Sequence, residues 1–481
     1  MTQSRGAISG LYWALAQNWS SRVITLAIFV ILARLLSPDD FGKAAAVILV
    51  VNLLMIFSEL GYSDAIVQRR DLTPADVTLP FVAAMTVSVL GGTLCYIFSD
   101  DITAQLRVEG VSDYLRVACF VCPFVTLSVF QEAHYKRGMN YRALAIRTMF
   151  ATCVSGCVGI ATVLAGFGAQ GVILQQITVS VVSAAWLWWR PVWKPPGTME
   201  TRSFVPITLF GLAIAGNKIL DFVIVRSIDI VILSVHGPAA LGLYTAGARI
   251  YFTALQVLTG PIIDFALVAA SRMEGDTSRL GRSYLPGVRA SALIASPLFI
   301  GAAAIAPEVT VAVFGPKWAA SATVMMPMML MGAIQCIQSP NTSYFSALGK
   351  PEYVIYLNAI KMLAVYPVLI FTGGYSFDVI IALFCLAQLV TTPLSYALIV
   401  KMIKVPAGAI VNSILPPLVI CLTGLICVHY LRYELSPHIE NAALRGIILA
   451  AVFYGIFAVG VLVFIRGRIM EVMRAMRVHG N

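Results

Sequence analysis

Apolar segments of about 20 residues recur from one end of this chain to the other, and each is long enough to cross a bilayer as a helix. That recurrence leaves few architectures open. Inside hydrocarbon every backbone N–H and C=O must find a partner within its own segment or its neighbours, so a chain built this way folds as a bundle of helices. Composition agrees. Of 481 residues, 59% are hydrophobic and only 12% charged, where a soluble domain carries roughly twice that charged share. Mean hydropathy is +0.86. The expected fold class is all-α and polytopic, with fourteen spans at residues 11–36, 41–67, 77–99, 114–135, 143–166, 169–190, 207–235, 239–266, 286–306, 319–346, 353–374, 376–400, 406–430 and 443–465. No stretch between them is long enough to form a separate domain. Span ten is interrupted by Pro327, Gln335, Gln338 and Pro340. An irregular helix is tolerated there only where protein or a wet cavity satisfies its backbone. The first 36 residues lack a small-x-small site after a short apolar core, so they read as a retained first helix rather than a cleaved signal.

Lysine and arginine set the orientation. With the N-terminus inside, 19 of the 33 fall in cytoplasmic segments, 7 on the opposite side and 7 within spans. This bias places both termini in the cytoplasm. The net charge of +10 is thus mainly a topology signal, and nucleic acid is not an expected partner. Nine cysteines lie scattered in apolar segments; of these, Cys119-x-x-Cys122 and Cys153-x3-Cys157 lie mid-span with no histidine nearby. They read as small buried fillers. The five histidines do not cluster. No metal site and no cofactor are expected, and no G-x-x-x-x-G-K-[ST] run exists to bind ATP.

Between spans one and two stands Ser37-Pro38-Asp39-Asp40-Phe41-Gly42. Pro38 and Gly42 supply turn chemistry, and the two acids can cap the N-terminus of the second helix. This pair reads as a helix start, not a catalytic dyad. At an offset of 200, Pro38-x-x-Phe41-Gly42 falls on Pro238-x-x-Leu241-Gly242, Asp64 on Asp264 and Asn18 on Lys218. A second echo joins "YKRGMNYRALAI" after span four to "FSALGKPEYVIY" after span ten. Spans one to six (residues 1–204) and seven to twelve (205–403) therefore read as two similar halves. Residues 404–481 hold spans thirteen and fourteen and a basic tail.

Ionisable residues inside spans are costly and are functional candidates by default. Here they concentrate. Asn18, Arg22 and Thr25 form a stripe on span one. Lys218, Asp221, Arg226 and Asp229 fall within about 140° of arc on span seven. Span eight adds Arg249 and Asp264, and span two carries Glu59 and Asp64 near its cytoplasmic end. Two readings fit. Lys218–Asp221 and Arg226–Asp229 are local ion pairs at i,i+3 spacing, or the first helix of each half turns a polar face to a shared central cavity. Arg22 has no acid within one turn of its own helix, so it needs another helix, water or an anionic ligand. Asp229 and Asp264 are the acids placed to carry a coupling ion. Lys361 in span eleven and Glu132 in span four read as interfacial or locally paired charges.

The segments "ILARLLSPDDFGKAAAV", "SELGYSDAIVQRRDLTPADV", "EAHYKRGMNYRALAIRT" and "DIVILSVHGPAALGLYTAGARI" resemble the polysaccharide transporter family. These are lipid-linked oligosaccharide flippases of bacterial exopolysaccharide, O-antigen and capsule synthesis, in one superfamily with lipid II flippases and multidrug extruders. The resemblance runs from about residue 5 to about residue 465. It implies two six-helix lobes around a cavity plus two terminal helices. It further implies movement of an undecaprenyl-pyrophosphate-linked repeat unit to the outer leaflet of the bacterial inner membrane. In lipid II flippases, cations on the first helix of each lobe face the cavity, and Arg22 and Lys218 occupy comparable places. The implied partners are the lipid-linked oligosaccharide, membrane lipid, and polymerase and chain-length components of the same pathway. A drug or metabolite antiporter of the same superfamily is the nearest alternative. A membrane glycosyltransferase, polymerase or ligase is disfavoured, because the outer loops 100–113, 307–319 and 431–442 carry no convergent acid, base and nucleophile.

Overall fold

The computed structural model describes residues 21–69, 72–201, 203–271, 277–350, 352–371 and 374–464. Every regular element among them is helical. Eleven helices are individually long and apolar enough to cross a membrane. Span one is described over 21–35. Spans seven and eight run together as Phe204–Ser271, broken at Gly237, where the backbone takes φ 81° and ψ −178°. The helices are consistent with fourteen spans, and the chain falls into two compact units, Met1–Gly242 and Leu243–Asn481. By packing, span seven belongs with the first unit.

In the first unit, span two begins at Pro38 and is capped by Ser37. The Asp40 N–H donates to the Ser37 hydroxyl at 3.1 Å, and that hydroxyl donates to the Asp40 carboxylate at 2.6 Å. Asp39 reaches along the helix to Lys43 at 2.8 Å. The acid pair therefore sits in a helix start, with serine as the cap itself and the Asp40 carboxylate accepting from the serine hydroxyl. The segment expected as one span over 41–67 is instead two helices, Pro38–Glu59 and Tyr62–Gln68. Beneath the second lies an aromatic cluster. Tyr62, Phe130 and Trp193 are buried, and Phe81 and Trp188 pack against them. The connection after span six is tied in by polar bonds. Gln131 donates to the Trp193 carbonyl at 2.6 Å, and the Trp193 indole donates to the Pro74 carbonyl at 3.0 Å.

In the second unit, span ten is broken at Ser339, between helices Ala322–Gln338 and Pro340–Ala347. Protein supplies the partners its irregularity demands. Tyr251 donates to Gln335 at 2.6 Å, Tyr284 to Asn341 at 2.7 Å, and Asn341 to Ser395 at 2.9 Å. The stretches expected as plain outer loops at 100–113 and 307–319 each contain a short helix, Ser99–Gln105 and Ala306–Phe314. The second of these carries Glu308, only 1% exposed. Arg432 grips it through Nε at 2.8 Å and Nη2 at 2.9 Å, and Arg445 stands 3.3 Å away. A buried carboxylate is tolerated when paired and hydrogen-bonded in this way. It joins spans thirteen and fourteen to the short helix.

The two turns that echo each other in sequence end their helices with the same kind of cap, one that also closes the helix Ser99–Gln105 through Leu106, Arg107 and Val108. After span four, the N–H groups of Gly138, Met139 and Asn140 bond to the carbonyls of His134, Lys136 and Tyr135. After span ten, Leu348, Gly349 and Lys350 bond to Tyr344, Ser346 and Phe345. The pattern of spacings is the same. Each turn has one left-handed residue, Met139 (φ 54°) and Gly349 (φ 68°). Met139 and Gly349 thus hold the same place in their caps.

Candidate functional site

The polar residues of span seven acquire their setting from span two, within the first unit. Span two ends at Glu59, and the next two residues take left-handed backbone, Leu60 at φ 47° and Gly61 at φ 66°. In an unbroken helix, Glu59 and Asp64 would point about 140° apart. The break turns both carboxylates onto one cation: the Lys218 ammonium stands 2.8 Å from Glu59 and 2.9 Å from Asp64. The three side chains are partly open to solvent, at 34%, 20% and 43% exposure for Lys218, Glu59 and Asp64. The trio carries one positive and two negative charges.

Backbone contacts flank this trio on both sides. Gly61 and Gly211 touch with no side chain between them: a Cβ on Gly211 would lie 2.5 Å from the Leu60 carbonyl oxygen. Beside them Tyr62 and Thr208 share a hydrogen bond of 3.1 Å, and Arg69 donates to the Pro206 carbonyl at 3.0 Å. Towards the other end, the two copies of the repeated Pro-x-x-x-Gly turn meet face to face. A Cβ on Gly42 would stand 3.1 Å from the Gly242 nitrogen and closer still to the Pro238 carbonyl. A Cβ on Gly242 would stand 3.1 Å from the Gly42 nitrogen and closer still to the Pro38 carbonyl. Span two therefore meets span seven, and the start of span eight, in antiparallel fashion, held at each end by backbone against backbone.

Of the two local pairs considered from sequence, one forms. Arg226 bonds Asp229 at 3.0 Å, and Asp229 is buried. Lys218 does not pair with Asp221; it prefers the two acids of span two, and Asp221 is left exposed. Arg249 has partners within the structure. Asn18 and the Asp264 side chain lie outside the described residues. Glu132 is locally paired as expected, with Arg147 and with Lys136, the latter at 3.8 Å. Lys361 is not. It falls on the stripe of Leu357, Val365 and Leu369, the buried residues of its helix, so it faces protein. Neither Lys361 nor Arg22, both half-buried, has an ion pair or hydrogen bond among the described residues. A cation at membrane depth without an acid needs water or an anionic ligand. No group of three His, Cys, Asp or Glu side chains able to hold a metal occurs among the described residues.

Sequence reasoning noted Glu59 and Asp64 but did not join them to Lys218. The signal was Leu60-Gly61, a glycine two residues beyond an acid inside an otherwise helical pattern. Arg147 and Glu308 were passed over because each reads as an isolated charge until its partner, distant in sequence, is brought beside it.

This arrangement of helices is that of a multi-pass membrane protein. It superposes on the lipid II flippase MurJ in an inward closed conformation with a TM-score of 0.74, over 95% of this chain and 100% of that one, at 12% identity. The family of polysaccharide biosynthesis proteins matches residues 31–323, and the chain belongs to that family. Relatives extend along most of its length. It is 21% identical to the succinoglycan biosynthesis transport protein ExoT of Rhizobium meliloti, over 96% of this chain and 94% of that protein. It is 20% identical to the lipopolysaccharide biosynthesis protein WzxC of Escherichia coli, over 83% and 82% respectively.

Proposed function

We propose that this protein moves an undecaprenyl-pyrophosphate-linked oligosaccharide unit from the inner to the outer leaflet of the bacterial cytoplasmic membrane, by alternating access and without covalent chemistry. The observation that carries this reading is near full-length similarity to ExoT, a protein named for transport in polysaccharide biosynthesis. The physics supports it. A pyrophosphate brings about two negative charges into the membrane, and a guanidinium can bind phosphate oxygens through paired N–H donors. Arg22 is half-buried on the first span with no acid of its own among the described residues. We assign it the pyrophosphate. Arg22→Ala is expected to cut export of the lipid-linked unit by about tenfold or more, the loss of one charge-assisted contact. Arg22→Lys keeps the charge without the fork and is expected to retain partial export. The assay is export in cells lacking the native gene, at matched protein level in the membrane. Near-normal export by Arg22→Ala overturns the assignment.

The proposed orientation has both termini in the cytoplasm. Reporter fusions at Asn481 and at Pro38 are expected to report opposite compartments; the same compartment for both contradicts it. The proposed energy source is an ion gradient acting through Asp264 or Asp229. If replacing both leaves the pH dependence of transport in proteoliposomes unchanged, neither acid couples.

A further inference from the structure

In the second unit, spans twelve (Phe377–Ile403) and thirteen (Ala407–Leu435) leave a groove of about 500 Å³ between them. Its walls are apolar, built from Pro393, Ala397 and Val400 on one side and Ile410, Ile414 and Leu418 on the other. It opens sideways: Ala397, Val411 and Leu415 line it and are exposed. In a membrane-spanning helix pair, such an opening faces lipid. From Ala407 to Leu418 the groove follows span thirteen for about 17 Å.

One end of this groove carries charge. Val400 and Ala407, both lining residues, bracket the turn that joins the two spans, and a turn between spans lies at the membrane surface. That turn contains Lys401 and Lys404, both exposed. Lys404 sits in left-handed backbone at φ 54°, which ends the helix and turns the chain at this point. Neither lysine has an ion pair among the described residues. The result is an apolar slot running into the membrane from a surface that carries two ammonium groups.

We propose that this groove is a binding site for an anionic glycerophospholipid, with an acyl chain lying along span thirteen and the phosphate at Lys401 and Lys404. Lysines beside a membrane are drawn to anionic headgroups, and the apolar walls suit an alkyl chain of limited length. The lipid fills the seam between spans twelve and thirteen. It is a bound component of the protein and is not the transported molecule.

The test is lipid retention by the purified full-length protein, measured by native mass spectrometry during titration with phosphatidylglycerol or phosphatidylcholine. The wild-type protein is expected to prefer phosphatidylglycerol by about tenfold or more, the size expected of two lysines at an anionic surface. Lys401→Gln combined with Lys404→Gln removes that preference while both lipids still bind. Ala397→Trp, on the open side of the groove, reduces retention of both. Equal retention of the two lipids by the wild type overturns the proposal, as does an undiminished preference in the double-glutamine variant. Displacement of phosphatidylglycerol by undecaprenyl pyrophosphate also overturns it, because the groove would then belong to the substrate.

Discussion

Lys218→Ala is expected to cut export by about tenfold and to lower the amount of protein in the membrane. Among the described residues, the ammonium is the one cation placed against both Glu59 and Asp64, at 2.8 and 2.9 Å. Without it the two carboxylates of span two are left side by side at the junction with span seven, with no described cation to hold them. Hydrogen bonds to charged groups contribute about 1.5–3 kcal/mol each. Exposures of 34% for Lys218 and 43% for Asp64 let water recover part of this, so the lower end of that range applies, near tenfold. Lys218→Arg keeps the charge and is expected to be mild. The informative variant is the triple change Lys218→Ala, Glu59→Gln, Asp64→Asn. An uncompensated charge is worse than no pair at all, so removing all three charges is expected to restore protein level and much of the export. A triple variant that reaches normal level and still fails to export shows instead that the lysine acts on the substrate.

The second large effect is expected at Gly42 and Gly242. Most small-to-large changes in a helical protein are absorbed by a side-chain rotation in the neighbour. Here the neighbour is backbone: a Cβ on either glycine collides with the carbonyl of the opposite proline, Pro238 or Pro38. The only relief is to move one turn away from the other. Overpacking of this kind costs about 1–3 kcal/mol, roughly five- to 150-fold against the closed contact. Gly42→Ala and Gly242→Ala should therefore each reduce export severely and to a similar degree, because each glycine meets the opposite proline carbonyl in the same way. Gly216→Ala is the control. It lies on the same span seven, and a Cβ there meets nothing within 4 Å, so it should leave export unchanged. Export by Gly42→Ala equal to that of Gly216→Ala shows that the contact is not needed during transport.

Much of the architecture was legible in the sequence because its cause is local. An apolar run of about 20 residues needs no knowledge of its neighbours to be a span. Observed helices such as Thr78–Ile97 and Gln170–Trp189 lie within a few residues of expectation. The repeated Pro-x-x-x-Gly turn was also visible as a repeat. What it does was not, because the approach of Gly42 to Gly242 joins positions 200 apart and depends on how the chain returns after Gly237. The candidate site was half legible. Span seven was correctly singled out as charged, but i,i+3 spacing pointed Lys218 at Asp221. The true partners sit on another helix, brought together by a left-handed break at Leu60-Gly61 that helical periodicity conceals. Arg226–Asp229 has no such competitor and forms the local pair its spacing suggests.

The most direct measurement is flipping itself. Purified protein is reconstituted into vesicles that carry a labelled undecaprenyl-pyrophosphate oligosaccharide in one leaflet, and arrival in the other leaflet is followed with a membrane-impermeant glycan-modifying enzyme. The predicted result is protein-dependent transfer well above that of protein-free vesicles, with no change in the covalent structure of the lipid-linked sugar. Transfer equal to protein-free vesicles under an imposed ion gradient, or a chemically altered product, contradicts the account.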